Sequence, residues 1–214
     1  MPPVGNDIVD LAEPENIGKS SDKRFCRRVF NPRELSLIAN SDRPDSILWA
    51  LWAAKEAAYK AVSRGDPSVC SIPQKYPVII EADAGALADS PLIGNVTTPL
   101  GELPVQIFID AEMVHVIAAG TVDDLARIIF RVGQVDADNA DPPRFARKVL
   151  LEEISRHICC SVGDLSVAKE KRRPWAPFIS FRGSRLSVDI SLSHDGRFVA
   201  CAFDPAALTE NLPA

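Results

Sequence analysis

The sequence predicts an α+β protein built from two similar lobes, each with a long helix packed on an antiparallel sheet. Two stretches have helical composition or spacing, residues 45–64 and residues 144–158. Each is accompanied by strand-like runs, and each half contains a terminal hairpin segment, EMVHVIAAG in the first and DGRFVACAF in the second. This repeated pattern does not by itself establish a duplication.

The composition is that of an ordinary globular protein. Of the 214 residues, 46% are hydrophobic and 25% are charged, which excludes disordered, collagen-like and coiled-coil classes. The N-terminal MPPVGNDIVD lacks the basic and apolar regions of a secretory signal, and no segment approaches the roughly 20 apolar residues that span a bilayer. We therefore expect a cytoplasmic protein with neither a membrane nor a nucleic-acid partner.

The first 65 residues contain a predicted strand and a predicted long helix. The segment VGNDIVDL is a short apolar run that carries acids, which predicts a strand ending near Asp10. Residues 45–64, DSILWALWAAKEAAYKAVSR, are rich in helix-forming residues, contain no Gly or Pro, and stop at Gly65. This pattern predicts one uninterrupted helix.

Shorter elements flank the long helix. Asn31, Pro32 and Glu34 have the types and spacing of an N-cap, a first helical residue and the third residue of a capping box, so a short helix should start at Pro32. Strand-like runs follow at residues 78–81, 105–110 and 113–119, the last two joined by a tight Asp-Ala-Glu turn.

The last third of the chain begins after a predicted linker. Residues 133–143, GQVDADNADPP, are acidic, small and proline-terminated, and we expect them to separate a first lobe at 1–132 from a second lobe at 144–214. After this linker, the segment RFARKVLLEEISRHI has helical spacing of its apolar residues. The segment KEKRRPWAPFIS is predicted to be a loop. The segment LSVDISLSHDGRFVACAF is predicted to form two strands joined at His194, Asp195 and Gly196.

Charge is divided unequally between the two parts. Residues 1–143 carry 13 Lys and Arg against 21 Asp and Glu, a net charge of −8, whereas residues 144–214 carry 11 against 8, a net charge of +3. The net positive charge of residues 144–214 could form a solvated basic face or an anion-binding strip.

Three side chains of the first part are candidates for chemistry. Asp7 lies in an apolar strand, where a carboxylate is either exposed at the strand end or paired or bound to a metal. Glu56 and Lys60 are four residues apart on one face of the predicted helix, which is also the spacing of a common surface ion pair. Trp52 on the same face favours a covered surface and therefore a site.

The histidines allow both structural and functional interpretations. At its predicted turn His194 could simply cap backbone groups. His115 and His157 occupy strand and helix positions without polar company, and we expect both to be structural.

Four of these segments together resemble the 4'-phosphopantetheinyl transferase superfamily. VGNDIVDL is similar to the family's G-x-D-I-V segment, FNPREL to its F-T-x-x-E-L, LWAAKEAAYKA to its W-x-x-K-E-x-x-x-K-A, and ISLSHDGRFVACA to its S-L-S-H segment. The resemblance implies the family's pseudo-dimeric fold of two similar lobes.

The order of the segments differs from that of the larger, two-lobed members. There, a segment resembling RKVLLEEIS, a basic G-K-P-like loop and S-H come first, and D-I and K-E-x-x-x-K follow. We expect a two-lobed protein with its lobes in swapped order. The alternative is the short holo-acyl-carrier-protein synthase type, which has the order found here, with a long insertion after Ala61.

The resemblance implies an enzyme that transfers the phosphopantetheine arm of coenzyme A to a carrier-protein serine and releases adenosine 3',5'-bisphosphate. Asp7 and Glu56 match the family's Mg2+ ligands, and the position of a further acid in some members is Val9 here. Lys60 matches a lysine that neutralises phosphate or assists removal of the serine proton, a proton that Glu56 could also accept. The matches for coenzyme A phosphate contacts are Arg144, Arg172, Arg173, Ser193 and His194.

The resemblance also implies an acidic carrier protein as partner. The basic group Lys23, Arg24, Arg27 and Arg28 is suited to dock it, although these residues could equally solubilise a loop. Because two lobes in one chain can form the cleft that short members build between subunits, we expect a monomer. The alternative function is a catalytically inactive module that binds coenzyme A or a carrier. A different nucleotide phosphotransferase is disfavoured because no Gly-rich phosphate loop is present.

Overall fold

A computed structural model of the protein describes residues 3–80, 91–135, 141–171 and 176–209. Five antiparallel strands form the first sheet in the order β1-β5-β4-β3-β2. Their bounds are Val4–Asp10 for β1, Val78–Ile80 for β2, Leu92–Thr98 for β3, Gly101–Ile109 for β4 and Met113–Ala119 for β5. None of the helices in the described ranges is long and apolar enough to cross a membrane.

Three helices lie between β1 and β2 along the chain: α1 (Lys23–Val29), α2 (Pro32–Ala39) and α3 (Pro44–Gly65). The predicted capping box of α2 is confirmed. The Asn31 side chain accepts from the backbone N–H of Glu34 at 2.9 Å, and the Glu34 carboxylate accepts from that of Asn31 at 2.8 Å. Helix α3 confirms the predicted long helix and packs across β1, β5 and β4 through a face of small and aliphatic side chains.

A second helix-on-sheet layer follows. Its sheet has the order β10-β11-β6 and is covered by the 16-residue helix α5. The bounds are Ile129–Gln134 for β6, Pro142–His157 for α5, Ile190–Asp195 for β10 and Phe198–Phe203 for β11. The predicted α+β class, with a long helix on an antiparallel sheet in each of two layers, is confirmed.

Smaller elements complete the described chain. A three-stranded sheet, β7-β8-β9, lies against the second layer, and the short helices α4 and α6 flank the strands. Their bounds are Val122–Arg127 for α4, Leu165–Lys169 for β7, Pro177–Phe181 for β8, Ser184–Arg185 for β9 and Ala206–Thr209 for α6.

Several boundaries differ from those expected from the sequence. Strand β6 pairs with β11 in the second sheet, although residues 129–132 fall inside the expected first lobe. The ends of the expected linker belong to β6 and α5, while residues 136–140 lie outside the described residues. The KEKRRPWAPFIS segment is not loop throughout, because β8 includes its last four residues. Pairing with strands that are distant in the sequence determines where these strands begin and end.

The two layers share a buried contact region. Val4 and Ile117 of the first sheet pack with Ala202 of the second, and Ile8 packs with Phe198. His115 is fully buried there and packs with the rings of Phe108 and Phe130, in keeping with a structural role.

Candidate active site

Helix α3 crosses strand β1 at a very short distance that requires glycine. A Cβ atom at Gly5 would lie 1.9 Å from the carbonyl oxygen of Ala57, closer than any side chain allows. Because side chains alternate along a strand, the next one on this face of β1 is that of Asp7. Gly5 thereby brings Asp7 against the helix turns that carry Glu56 and Lys60.

Lys60 reaches from α3 to the edge of β1. Its Nζ donates to Oδ1 of Asp7 at 2.7 Å and to the backbone oxygen of Asn6 at 2.9 Å. Burial raises the pKa of Asp7; the Lys60 ammonium group opposes this rise, and the negative charge of Asp195 adds to it. The pKa of Asp7 remains raised, so additional positive charge beside its carboxylate is favoured.

Glu56 is half-buried on the same side of α3. Burial raises the pKa of its carboxyl group and the negative charge of Asp7 adds to the rise, whereas the Lys60 ammonium and a hydrogen bond with Ser71 lower it. The four-residue spacing on α3 places Glu56 beside Lys60, whose Nζ donates to Asp7, so we treat the three side chains as one cluster.

The cluster fits a magnesium ion of the kind that shares its shell with substrate. Two neighbouring carboxylates offer the hard oxygen ligands that Mg2+ prefers, and a cation would offset both their burial and their repulsion. Within the described ranges, no group of three or more His, Cys, Asp or Glu side chains is arranged to hold a metal. Mg2+ is often held by one or two carboxylates together with water and substrate phosphates. Asp7 and Glu56 would be the two.

Strand β10 runs alongside the open edge of β1 and contacts it through side chains. Three backbone N–H groups of β1, spaced by even numbers of residues, donate to side-chain oxygens of β10 or of Asp189, the residue directly before it. The pairs are Val4 with Asp189 at 2.7 Å, Asn6 with Ser191 at 2.9 Å and Asp10 with Asp195 at 2.9 Å. The constant offset of 185 residues means that the two strands run parallel. We call this contact the β1/β10 seam.

The seam gives His194 and Ser193 different surroundings. His194 is exposed, pairs with Val199 across the hairpin, and lies close enough to Asp7 that its charge lowers the pKa of Asp7. Ser193 is buried, and its hydroxyl has no hydrogen-bond partner in the described part of the chain. His194 is thus accessible to a ligand near Asp7, whereas the Ser193 side chain lies inside the protein.

A cavity of about 670 Å3 opens between the C-terminal half of α3, residues 67–71 and strands β8 and β10. Lys60 lies at its wall and connects it to the carboxylate cluster. Its polar lining is rich in hydroxyl groups, from Tyr59, Ser63, Ser68, Ser71 and Ser191, and includes Arg64, which forms an ion pair with Asp189 of the seam. Hydroxyl and cationic groups of this kind suit an anionic, polar ligand.

In the described part of the chain, the other residues predicted to contact coenzyme A phosphates are not observed beside the Asp7, Glu56 and Lys60 cluster. Arg144 is exposed near the start of α5, where its backbone N–H donates to Asp141, and it is not among the described residues that line the cavity. Arg172 and Arg173 lie outside the described residues. The basic group at Lys23, Arg24, Arg27 and Arg28 is exposed along α1, a helix that was not predicted from the sequence.

One residue beside Glu56 has a role that the sequence interpretation missed. Lys55 is 2% exposed, and its Nζ donates to Glu34 Oε1 at 2.7 Å and to the backbone oxygen of Tyr76 at 2.9 Å. Glu34 itself is 1% exposed and also accepts from the backbone N–H of Val78 at 2.8 Å. This buried ion pair ties α3 to α2 and β2. A lysine on the small-residue face of an Ala-rich helix was the available signal, because such a charge needs a partner.

Comparison with known proteins finds similarity in the first part of the chain. Residues 3–78 match the family model described as the 4'-phosphopantetheinyl transferase superfamily. A holo-[acyl-carrier-protein] synthase of Campylobacter jejuni is 41% identical over 68 residues, which cover 32% of this chain and 56% of that protein. One from Neisseria gonorrhoeae is 36% identical over 72 residues, covering 32% and 58% respectively. The chain thus spans little more than half the length of these curated relatives.

The matched region contains Asp7, Glu56 and Lys60. The similarity to the 4'-phosphopantetheinyl transferase superfamily therefore extends over residues 3–78. Among solved structures, the Thermotoga maritima holo-[acyl-carrier-protein] synthase gives a TM-score of 0.39 at 19% identity, covering 71% of this chain and 90% of that one.

Proposed function

We propose that this protein transfers the 4'-phosphopantetheine arm of coenzyme A to a serine of an acyl or peptidyl carrier protein, with Mg2+, and releases adenosine 3',5'-bisphosphate. The observation that carries the proposal is the cluster of Asp7, Glu56 and Lys60 beside a hydroxyl-lined cavity, inside the part of the chain that matches the superfamily. A cytoplasmic location, where coenzyme A and carriers are made, is part of the proposal.

In the proposed reaction the serine Oγ attacks the β-phosphorus of the pyrophosphate. A P–O bond forms to serine, the bond from that phosphorus to the bridging oxygen breaks, and the electron pair leaves with adenosine 3',5'-bisphosphate. Mg2+ held by Asp7 and Glu56 would neutralise charge on the phosphate oxygens. The Glu56 carboxylate can accept the serine proton, since Lys60 Nζ already donates to Asp7 and Asn6.

Residues of the second layer would hold the nucleotide. His194 is exposed and near enough to Asp7 to affect its pKa, and residues 144–214 carry a net charge of +3 that suits a ligand with several phosphates. Arg144, Arg172, Arg173 and Ser193 are further candidates from the motif match. The proposal keeps the two-lobed type with its lobes in swapped order, and hence a monomer. Light scattering that gives a trimer would favour the inserted short type instead.

The exposed basic face of α1 would dock the carrier. Four cations lie within two turns of this helix, on a surface to which an acidic protein would be steered by charge. Replacing Arg24 and Arg28 by Glu should raise the KM for the carrier and reduce its salt dependence while leaving coenzyme A affinity unchanged. The matched control makes the same charge change at two exposed positions of α5, Lys148→Glu with Arg156→Glu. Equal carrier kinetics in the two double variants would argue against docking at α1.

The proposed reaction is tested by incubating the protein with coenzyme A, Mg2+ and a panel of apo carrier proteins, followed by intact-mass measurement of each carrier. We expect one carrier to gain the mass of a phosphopantetheine arm, with no gain when the metal is chelated or in the Asp7→Ala variant. Coenzyme A binding by calorimetry without transfer to any carrier would favour the inactive binding module.

A further inference from the structure

The turn between β10 and β11 is locked onto the end of β1 by one buried carboxylate. Arg197 donates to Asp10 through Nε at 2.8 Å, through Nη2 at 2.8 Å and through its backbone N–H at 2.9 Å. The backbone N–H of Ala12 donates to the same carboxylate at 2.9 Å. Asp10 is 1% exposed and its oxygens are fully engaged. Because the guanidinium group of Arg197 contacts the Asp10 carboxylate through two nitrogens, both the distance and the relative orientation of the two groups are fixed.

Glycine at the turn allows this contact. Gly196 has a φ of +47°, and a Cβ atom there would lie 2.6 Å from Oδ2 of Asp10. A larger residue would therefore push the turn away from β1 and strain its backbone. The turn is pressed directly against the carboxylate that holds it.

Asp195, the residue before Gly196, connects the contact between Asp10 and Arg197 to helix α3. Oδ2 of Asp195 accepts from the backbone N–H of Asp10 at 2.9 Å and from the Asn16 amide at 2.7 Å. The Asn16 amide also donates to the backbone oxygen of Asp10 at 2.8 Å, and the Asn16 backbone oxygen accepts from the Trp49 indole at 2.9 Å. Trp49 belongs to α3, so one network joins the β10–β11 turn, the end of β1 and the helix that carries Glu56.

This network lies next to the proposed site but is not part of it. Asp10 is three residues after Asp7 on β1, and Asp195 directly follows His194 on β10. The other end of the seam has its own ion pair, Arg64 with Asp189, beside the cavity. The end near Asp7 depends on Asp10 and Arg197.

We propose that Asp10 and Arg197 are positioning residues that set the placement of His194 relative to Asp7, and thereby of the coenzyme A phosphates relative to the carboxylate cluster. The inference rests on the proposed function. Neither residue touches the substrate in this account, and both act through the strand and turn that they join. Losing the lock should misplace the two halves of the site without removing any group that takes part in the reaction.

The test compares Arg197→Gln, Arg197→Lys and Asp10→Asn with the control Arg156→Gln, which removes an exposed arginine from an ion pair with Glu153 on α5. At a temperature where all are folded, Arg197→Gln and Asp10→Asn should lower kcat/KM for coenzyme A by about 10- to 100-fold, the range expected for small misplacements. The KM for the carrier should not change. Arg197→Lys should recover part of the loss, since it restores the charge but not the two-point contact.

Amide hydrogen exchange in β1 provides a readout that does not depend on transfer. In Arg197→Gln the amide of Asp10 should exchange at least about tenfold faster as its partner on the displaced turn is lost, while the amides of Val4 and Asn6 stay protected. If Arg197→Gln matches Arg156→Gln in exchange and in coenzyme A kinetics, the inference is overturned. A rise in the KM for the carrier equal to the rise in the KM for coenzyme A would also overturn it, because general destabilisation would affect the binding of both substrates.

Failure of the proposed function gives a different result. Wild-type protein that binds coenzyme A but transfers nothing would contradict the transferase proposal alone. The positioning role would then be judged by coenzyme A affinity: weaker binding in Arg197→Gln than in the control supports it, and unchanged binding overturns it.

Discussion

Replacing Lys55 by Met should strongly destabilise the protein, because it leaves the Glu34 carboxylate buried without its counter-charge. Met has nearly the volume of the lysine stem, so little cavity is created and the change is mainly electrostatic. Glu34 keeps its two backbone donors, the N–H groups of Asn31 and Val78. These cannot neutralise a full charge at 1% exposure.

The expected magnitude follows from that burial. Breaking a buried ion pair by removing one partner costs about 3–5 kcal/mol. A typical domain is stable by about 5–15 kcal/mol, so a large share of the total would be lost. With a urea dependence of about 2–3 kcal/mol/M for a chain of this size, the unfolding midpoint should fall by roughly 1–2 M.

Urea denaturation followed by tryptophan fluorescence measures this directly. The control is Lys148→Met, which removes an exposed lysine 3.8 Å from Glu152 on α5 and should leave the midpoint unchanged. A midpoint for Lys55→Met within about 0.3 M of the wild type, a shift worth less than about 1 kcal/mol, would refute the reasoning, since it would mean that Glu34 does not depend on the pair.

Three further predictions concern stability and pH. Gly5→Ala should cost about 3 kcal/mol or more in urea unfolding, because its Cβ would collide with the Ala57 carbonyl, and an unchanged midpoint would contradict the close packing of α3 on β1. Arg197 lowers the pKa of Asp10 to about 2, so the native state binds fewer protons than the unfolded state below pH 4. About 2 kcal/mol of folding stability, present above pH 4, should therefore be lost by pH 2. Arg197→Gln should remove most of this pH dependence of stability. Burial lowers the pKa of His115 to about 3, so the free energy of unfolding should fall as the pH drops from 6.5 toward 3. If a His115→Phe variant kept the wild-type dependence of this free energy on pH between 7 and 5, a neutral buried His115 would be contradicted.

Local sequence signals account for the elements that were predicted correctly. The capping box at Asn31 and Glu34 and the Gly-free run of α3 are determined within a few residues, by hydrogen bonding at the helix start and by propensity along its length. Packing of the long helix over the first strand was expected, because only this could bring Asp7 and Glu56 to one metal ion, but the very short distance at Gly5 was not predicted.

Pairing between distant residues accounts for what was missed. Strand β6 joins β11 across more than 60 residues, and its own short apolar run does not identify a partner. The lock between Asp10 and Arg197 spans 187 residues, so no local pattern could reveal it. For the same reason the sequence gives no indication that Ser193 lies inside the seam while His194 faces outward.

The central claim is that this chain cleaves coenzyme A at its pyrophosphate and passes the pantetheine-bearing part to a carrier serine. The most direct measurement quantifies adenosine 3',5'-bisphosphate by chromatography and modified carrier by mass in the same reaction. We expect one mole of nucleotide to be released per mole of carrier modified, and neither product to form in the Glu56→Ala variant. Nucleotide release without carrier modification, or modification that persists in Glu56→Ala, would contradict it.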